Sequence, residues 1–335
     1  MTDRLAAGGT TMGTAGAGPA AGWRAATLTG SATGRGLVPL RPLTVSDVLD
    51  QPFVLLRADL RLLLLLTGLV VVPVQLVSAY LQRGAFGGLG FGQIFADPVG
   101  AQVALETGDT GTFSALGVAG VAAIFFLPLV NGLVARLAVS RVLGEDVDGP
   151  AVLRSALGRW PALIGVTVLA GIATYGPLAV GVALIATGQV AVAVVGGLVL
   201  LVAVPVGVAC YVLFALAQVA VMIERLGPVA ALRRSLALVR PRVWTVLGVL
   251  LLAALVASLV QSALSGLPSA AAFFIGFDVG WLLLALGGSA AALVVTPYAA
   301  LVATMVYLDA RVRTEALDLA VLADVAGSRG RTAGG

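Results

Sequence analysis

Six long runs of apolar residues constrain this chain more than any other feature of its sequence. A helix needs about 20 residues to cross the ~30 Å hydrocarbon core of a bilayer, and each run is long enough to do so. The runs cover residues 62–81, 113–137, 162–186, 190–222, 243–264 and 280–308. The sequence therefore predicts an all-α integral membrane protein with six transmembrane helices.

The composition of the chain agrees with a bilayer environment. Hydrophobic residues make up 59% of the 335 residues and charged residues only 11%, and the mean hydropathy is +1.06. An ordinary soluble domain is about 25% charged. A chain with so few charged residues has too little polar surface to cover a water-soluble globule, so membrane lipids are its expected partners.

The six runs lie within one membrane domain between two polar tails. Residues 1–40 are rich in Gly, Ala and Thr, without hydrophobic periodicity, and we expect a disordered N-terminal tail. Residues 41–323 form the predicted membrane domain, and residues 324–335 a disordered C-terminal tail. The long glycine-rich connection at 82–112 is either a mobile lid or a partly embedded linker, and we favour the linker.

The distribution of arginine predicts the orientation of the chain. All 20 basic residues are Arg, and cytoplasmic loops carry an excess of basic residues. The first, third and fifth connections contain one basic residue, Arg83, against the acidic residues Asp97, Glu106, Asp109 and Asp278. The other arginines lie on the alternate side. Both termini are therefore expected to be cytoplasmic, and six spans satisfy this pattern where seven would not.

The fourth run is longer than one membrane crossing requires. It continues as a helix into the cytoplasm, bends at Pro205, or contains a re-entrant turn. A re-entrant turn would disturb the alternation of charge, so the sequence favours the first two arrangements.

Amphipathic segments precede some of the apolar runs. Residues 44–60 carry apolar side chains at helical spacing, which predicts an interfacial helix with Thr44 or Ser46 as its N-cap. The segments "VSRVLGEDVDGPAVLRSALGRWPALIGVTVL" and "VMIERLGPVAALRRSLALVRPRVWTVLGVLLL" resemble each other. Their matching features are the pairs Gly149-Pro150 and Gly227-Pro228, and the tryptophans Trp160 and Trp244. We predict three parallel repeats, each an interfacial helix followed by two spans.

Prolines and amides interrupt the apolar runs. Internal prolines occur at Pro73, Pro128, Pro177, Pro205 and Pro297. They are typical either of broken helices around a transporter cavity or of ordinary curvature in a packed bundle, and curvature is favoured. Asn131 and Gln218 are the most central polar residues, and hydrogen bonding between helices is favoured over a substrate site.

Charged residues gather where the even-numbered spans end. The members of this predicted polar ring are Arg136, Arg141, Glu224, Arg225, Asp309, Arg311, Arg313 and Glu315. On a continuous helix Asp309 would pair with Arg313, and Arg311 with Glu315. Pairing at the helix ends and contact with lipid is the favoured interpretation, and a docking ring for a partner is the alternative.

Several classes of chemistry are excluded by the residues that the chain lacks. It contains no His and a single Cys, Cys210, so His-based nucleophilic catalysis and zinc motifs are absent. Its glycine-rich stretches cannot complete a P-loop without Lys. We therefore expect no enzyme, no cofactor, no metal site and no nucleic-acid partner.

Three segments together resemble a known family. The segments "RPLTVSDVLDQPFVLLR", "IERLGPVAALRRSLALVRPRVWTVLGVLLL" and "TPYAALVATMVYLDARVRTEALDL" are similar to the glycerophosphoryl diester phosphodiesterase membrane-domain proteins, especially stand-alone actinobacterial members. The resemblance covers residues 41–323. It implies a multi-pass protein of the bacterial plasma membrane without the phosphodiesterase domain, and therefore without that activity.

The sequence leaves two functions open. The favoured one is a non-catalytic scaffold or accessory subunit of the bacterial cell envelope, with another membrane or envelope protein as partner. The alternative is a permease or lipid-handling protein with a cavity between kinked helices. A central cavity would favour the second function, and a tightly packed bundle the first.

Overall fold

A computed structural model describes residues 44–81, 110–142 and 149–315 of the chain. This part is almost entirely helical and contains no strand. The helices are α1 (Val45–Ala58), α2 (Leu60–Leu81), α3 (Thr110–Val142), α4 (Gly149–Ala186), α5 (Val190–Phe214), α6 (Ala217–Glu224), α7 (Pro228–Val239), a 3-10 turn (Arg240–Arg242), α8 (Val243–Ile275) and α9 (Phe277–Glu315). The predicted tails, and most of the predicted linker at 82–112, lie outside the described residues.

A capping box starts α1. The Thr44 hydroxyl accepts a hydrogen bond from the Asp47 backbone N–H (3.2 Å), and the Asp47 carboxylate accepts one from the Thr44 N–H (3.0 Å). These two bonds satisfy backbone donors that the first turn of a helix leaves without partners. Thr44, one of the two predicted N-caps, is confirmed.

Six helical segments are long and apolar enough to cross a membrane, as predicted. They cover Leu60–Leu81, Ile124–Val142, Gly149–Ala186, Val190–Glu224, Pro228–Ile275 and Val279–Thr314. Several extend beyond the apolar runs of the sequence. The amphipathic stretch at 149–160 continues directly into its span through Pro161, whereas α7 is joined to α8 by the turn around Pro241.

The fourth apolar run is interrupted, but not at Pro205. Pro205 lies inside α5, and the break falls ten residues later, at Ala215 and Leu216. The Ser235 hydroxyl of α7 donates to the Leu213 carbonyl oxygen (2.6 Å) and accepts from the Leu216 N–H (3.3 Å). These bonds satisfy backbone groups that the break exposes, and α6 then continues to Glu224.

Small residues hold consecutive spans together in two antiparallel hairpins. In the α4–α5 hairpin, a Cβ atom added to Gly196 would lie 2.8 Å from the Gly181 carbonyl oxygen. In the α8–α9 hairpin, a Cβ at Gly287 would lie 2.8 Å from Pro268 Cβ. Close approach of this kind is the common way for helices to associate in lipid.

Burial divides the molecule into two parts. Most residues of 128–142, 216–222 and 300–312 are buried, and α1 and α7 pack around these segments. We call this part the packed half. Its outer boundary carries most of the charged residues, and we call that boundary the charged end. The parts of α4, α5 and α8 that lie away from these segments are largely exposed, and they form the open half. In the most apolar stretch of Ile124–Val142, 61% of residues are buried, against 17% in Val190–Glu224, so α3 is the central helix.

Candidate functional site

A cavity of about 730 Å³ lies where the packed half meets the open half. Its lining comes from α3, α4, α5, α6, α8 and α9, and most of the lining side chains are apolar. Small side chains leave the space on one side, namely Ala253, Ala254 and Ala257 of α8 and Ala299, Ala300 and Ala303 of α9. A volume of roughly 300–1,000 Å³ is typical of sites that hold one small molecule.

The cavity opens sideways between α5 and α8. The two hairpins pack extensively within themselves, but α5 and α8 touch at few points. Tyr211 of α5 and Ala254 of α8 both line the cavity and are both exposed. The opening therefore faces the lateral surface of the bundle, where the chains of membrane lipids would lie.

Two tryptophans indicate how deep the cavity lies. Trp160 of α4 and Trp244 of α8 stand at the start of their apolar runs, and tryptophan favours the headgroup level. On both helices the lining begins six residues later, at Val166 and Leu250. Six helical residues rise about 9 Å, so on both helices the lining begins about 9 Å beyond the tryptophan.

An amide pair forms the floor of the cavity. Asn131 of α3 donates to the Gln218 side-chain oxygen (2.7 Å), and Gln218 donates to the Thr167 hydroxyl of α4 (2.9 Å). Thr167 in turn donates to the Leu163 carbonyl oxygen (2.9 Å). The predicted hydrogen bonding of Asn131 and Gln218 between helices is thus confirmed, and the same two amides also face the cavity.

Two tyrosines stand at the opening. Tyr175 of α4 is 61% exposed and Tyr211 of α5 is 58% exposed, and both line the cavity. Neither hydroxyl makes a hydrogen bond to any other described residue. A phenol hydroxyl can donate one hydrogen bond and accept others, so these two groups can still bind a polar ligand.

A charged cluster closes the packed half beyond the cavity floor. The Glu224 side chain is 6% exposed and receives bonds from Arg234 Nε at 2.8 and 3.0 Å. The Tyr307 hydroxyl also donates to this carboxylate, and Arg311 Nε lies 3.8 Å from it. Arg311 is itself 4% exposed, so the cluster brings opposite charges together where little water reaches them.

The other members of the predicted polar ring occupy separate positions. Arg141 forms a two-bond ion pair with Asp59 (2.5 and 2.7 Å), and Asp309 pairs with Arg313 (2.8 Å), as predicted. Arg225 ends α6 in a left-handed conformation, and Arg136 is half-buried on α3. The Glu315 side chain, and with it the predicted Arg311–Glu315 pair, lies outside the described residues.

Sequence reasoning missed three of the residues that complete these pairs: Asp59, Arg234 and Tyr307. One signal was available for Tyr307, because it precedes Arg311 by four residues and so shares its helix face. Asp59 and Arg234 come from elements distant in sequence, and local spacing does not connect them to Arg141 or Glu224.

Comparison with known proteins adds nothing to this geometry. No family model, no curated protein and no solved structure matches the chain. The family resemblance drawn from the three sequence segments therefore stays a prediction.

Proposed function

We propose that this protein is a non-catalytic, lipid-handling membrane protein that admits a lipid-like molecule from the bilayer into the cavity between α5 and α8. The observation that carries the proposal is the lateral opening of that cavity. An apolar cavity with such an opening fills from the surrounding lipid more readily than from water, because an apolar molecule already resides there.

The shape of the cavity supports this function over a purely structural one. A bundle that served only as a scaffold would gain dispersion energy by closing the gap between α5 and α8. Alanines on α8 and α9 instead preserve the space, while the glycines of the α4–α5 hairpin draw α5 toward α4. Both features keep the passage between the hairpins wide.

The proposal includes a location and an orientation. We place the protein in the bacterial plasma membrane with the charged end and both termini at the cytoplasmic side, because the arginines concentrate there. Three units of one amphipathic segment and two spans are consistent with the helix order, with α1, residues 149–160 and α7 as the amphipathic segments.

A second function, an accessory subunit for another envelope protein, is favoured by one observation. Exposed apolar and basic residues stand together on the amphipathic helices, including Val54 and Arg57 on α1 and Val229 and Arg233 on α7. Such faces suit either lipid headgroups or a protein surface. Purification in mild detergent followed by mass spectrometry of a stoichiometric partner protein would support this function.

Photolabelling tests the lipid-handling function. Wild-type protein in nanodiscs, exposed to a lipid with a diazirine on its acyl chain, should be labelled at the cavity lining. Ala254→Trp places a large side chain in the cavity and should remove this labelling, whereas Leu259→Trp, on the lipid-facing side of the same helix, should not. Equal labelling of both variants would rule out the cavity as the binding site.

A further inference from the structure

The polar groups of the cavity define the class of molecule that it accepts. We propose that the ligand is a neutral long-chain lipid with a hydroxyl or carbonyl oxygen, bound through that oxygen to Tyr175 and Tyr211. This inference rests on the proposed lipid-handling function and specifies its ligand.

The lining of the cavity restricts the charge of the ligand. No Asp, Glu, Lys or Arg is among the lining residues that the structure describes. A phosphate or carboxylate drawn into this cavity would lose its hydration without meeting an opposite charge, and isolated buried charges are strongly disfavoured. The portion of the ligand inside the cavity is therefore uncharged.

The two tyrosine hydroxyls at the opening provide hydrogen-bonding capacity for a ligand. Each tyrosine hydroxyl can donate one hydrogen bond and accept others, and neither Tyr175 nor Tyr211 bonds to another described residue. A pure hydrocarbon would leave both hydroxyls unpaired. A ligand oxygen between them would satisfy one or both, which favours an alcohol or a carbonyl compound over an alkane.

The cavity extends from the tyrosines at its opening to the amide pair at its floor. Thr167 at the floor and Tyr175 at the opening are eight residues apart on α4, a rise of about 12 Å. The alanines of α8 and α9 line the same cavity. A chain can therefore extend from an oxygen at the tyrosines along the alanines toward the amide floor, where Asn131 and Gln218 already bond to each other and to Thr167.

The test compares three photoactivatable probes of equal chain length in nanodiscs: a long-chain alcohol, the corresponding alkane and the corresponding alkyl sulfonate, which stays ionised. The variants are the double change Tyr175→Phe with Tyr211→Phe, and the control Tyr80→Phe, an exposed tyrosine that contacts Trp281 away from the cavity. Ala254→Trp reports on the cavity itself, and Ala254→Phe replaces it if the Trp variant fails to fold.

In wild type we expect the alcohol to label the cavity roughly five- to tenfold more than the alkane or the alkyl sulfonate, as two modest hydrogen bonds would produce. The double Phe variant should reduce alcohol labelling to the alkane level, and Tyr80→Phe should leave it unchanged. Preserved alcohol preference in the double variant, or equal labelling by the alkyl sulfonate, would overturn the ligand class. Labelling of the lining that persists when Ala254 is enlarged would instead overturn the proposed function.

Discussion

The packed half and the open half of this protein are built from the same apolar residue types, but one is tightly packed and the other contains a cavity. In the packed half, residues of α3, α6 and α9 are enclosed by α1 and α7, and buried charges find partners. In the open half, α5 and α8 stand apart and a cavity remains. Hydrophobicity alone does not decide between these outcomes. In lipid, packing follows from side-chain size and polar pairing, and both differ between the two halves.

The largest effect is expected at Glu224, where the packed half depends on charge compensation. Glu224→Gln would remove the buried negative charge that Arg234 bonds at 2.8 Å, and breaking a buried pair costs about 3–5 kcal/mol. The free energy of unfolding in detergent, followed by circular dichroism, measures the loss.

Asp309→Asn is the matched control, because it removes a carboxylate from a local pair at the same charged end. Pairs spaced by four residues contribute about 0.3–0.5 kcal/mol. Equal destabilisation by the two variants would mean that the Glu224 cluster is not a buried network.

Enlarging Ala220 or Ala254 compares how much free space surrounds a side chain in each half. Ala220 of α6 is fully buried, whereas Ala254 of α8 faces the cavity. Ala220→Leu should destabilise the protein by about 1–3 kcal/mol through overpacking, and Ala254→Leu by less than about 0.5 kcal/mol because room exists. The thermal unfolding midpoints of the two variants give this comparison, and a reversed order would break it.

Neighbouring glycines on α5 test the spacing of the α4–α5 hairpin. Gly196→Ala would push a methyl group against the Gly181 backbone, but nothing lies within 4 Å of a Cβ at Gly197. Both changes gain about 1 kcal/mol of helix propensity, so their difference isolates packing. We expect Gly196→Ala to be the less stable variant by about 1–2 kcal/mol, and equal unfolding free energies would contradict the contact.

The smallest effect is expected from two serines, one in each of two amphipathic segments of the predicted repeats. Ser235 bonds to both sides of the break between α5 and α6, but Ser155 bonds only to Val152 of its own helix. Ser235→Ala should cost about 1 kcal/mol more than Ser155→Ala, because a buried backbone N–H loses its partner. Chemical unfolding of both variants would detect this, and an equal cost would argue against the bridging role.

Features that depend on nearby residues could be predicted from the sequence. The apolar runs predict the six spanning helices, Thr44 predicts the start of α1, and the spacing of Asp309 and Arg313 predicts their pair. The break at Ala215 could not be predicted, since it depends on Ser235 from another helix. A cavity between helices was only one of two alternatives from the sequence, and its position could not be predicted for a similar reason. The volume arises where alanines of α8 and α9 face α4 and α5, and no local pattern records that arrangement.

Lipid access to the cavity is the most direct test of the difference between the two halves. After Cys210→Ala removes the native thiol, a spin label is attached at Ala254→Cys in the cavity, at Leu259→Cys on the lipid-facing side, or at Ala138→Cys in the packed half. In bilayers, the collision rate with molecular oxygen reports contact with the hydrocarbon phase. We expect the collision rate at position 254 to approach the rate at position 259 and to far exceed the rate at position 138. A label at 254 as protected as the one at 138 would contradict a lateral opening between α5 and α8.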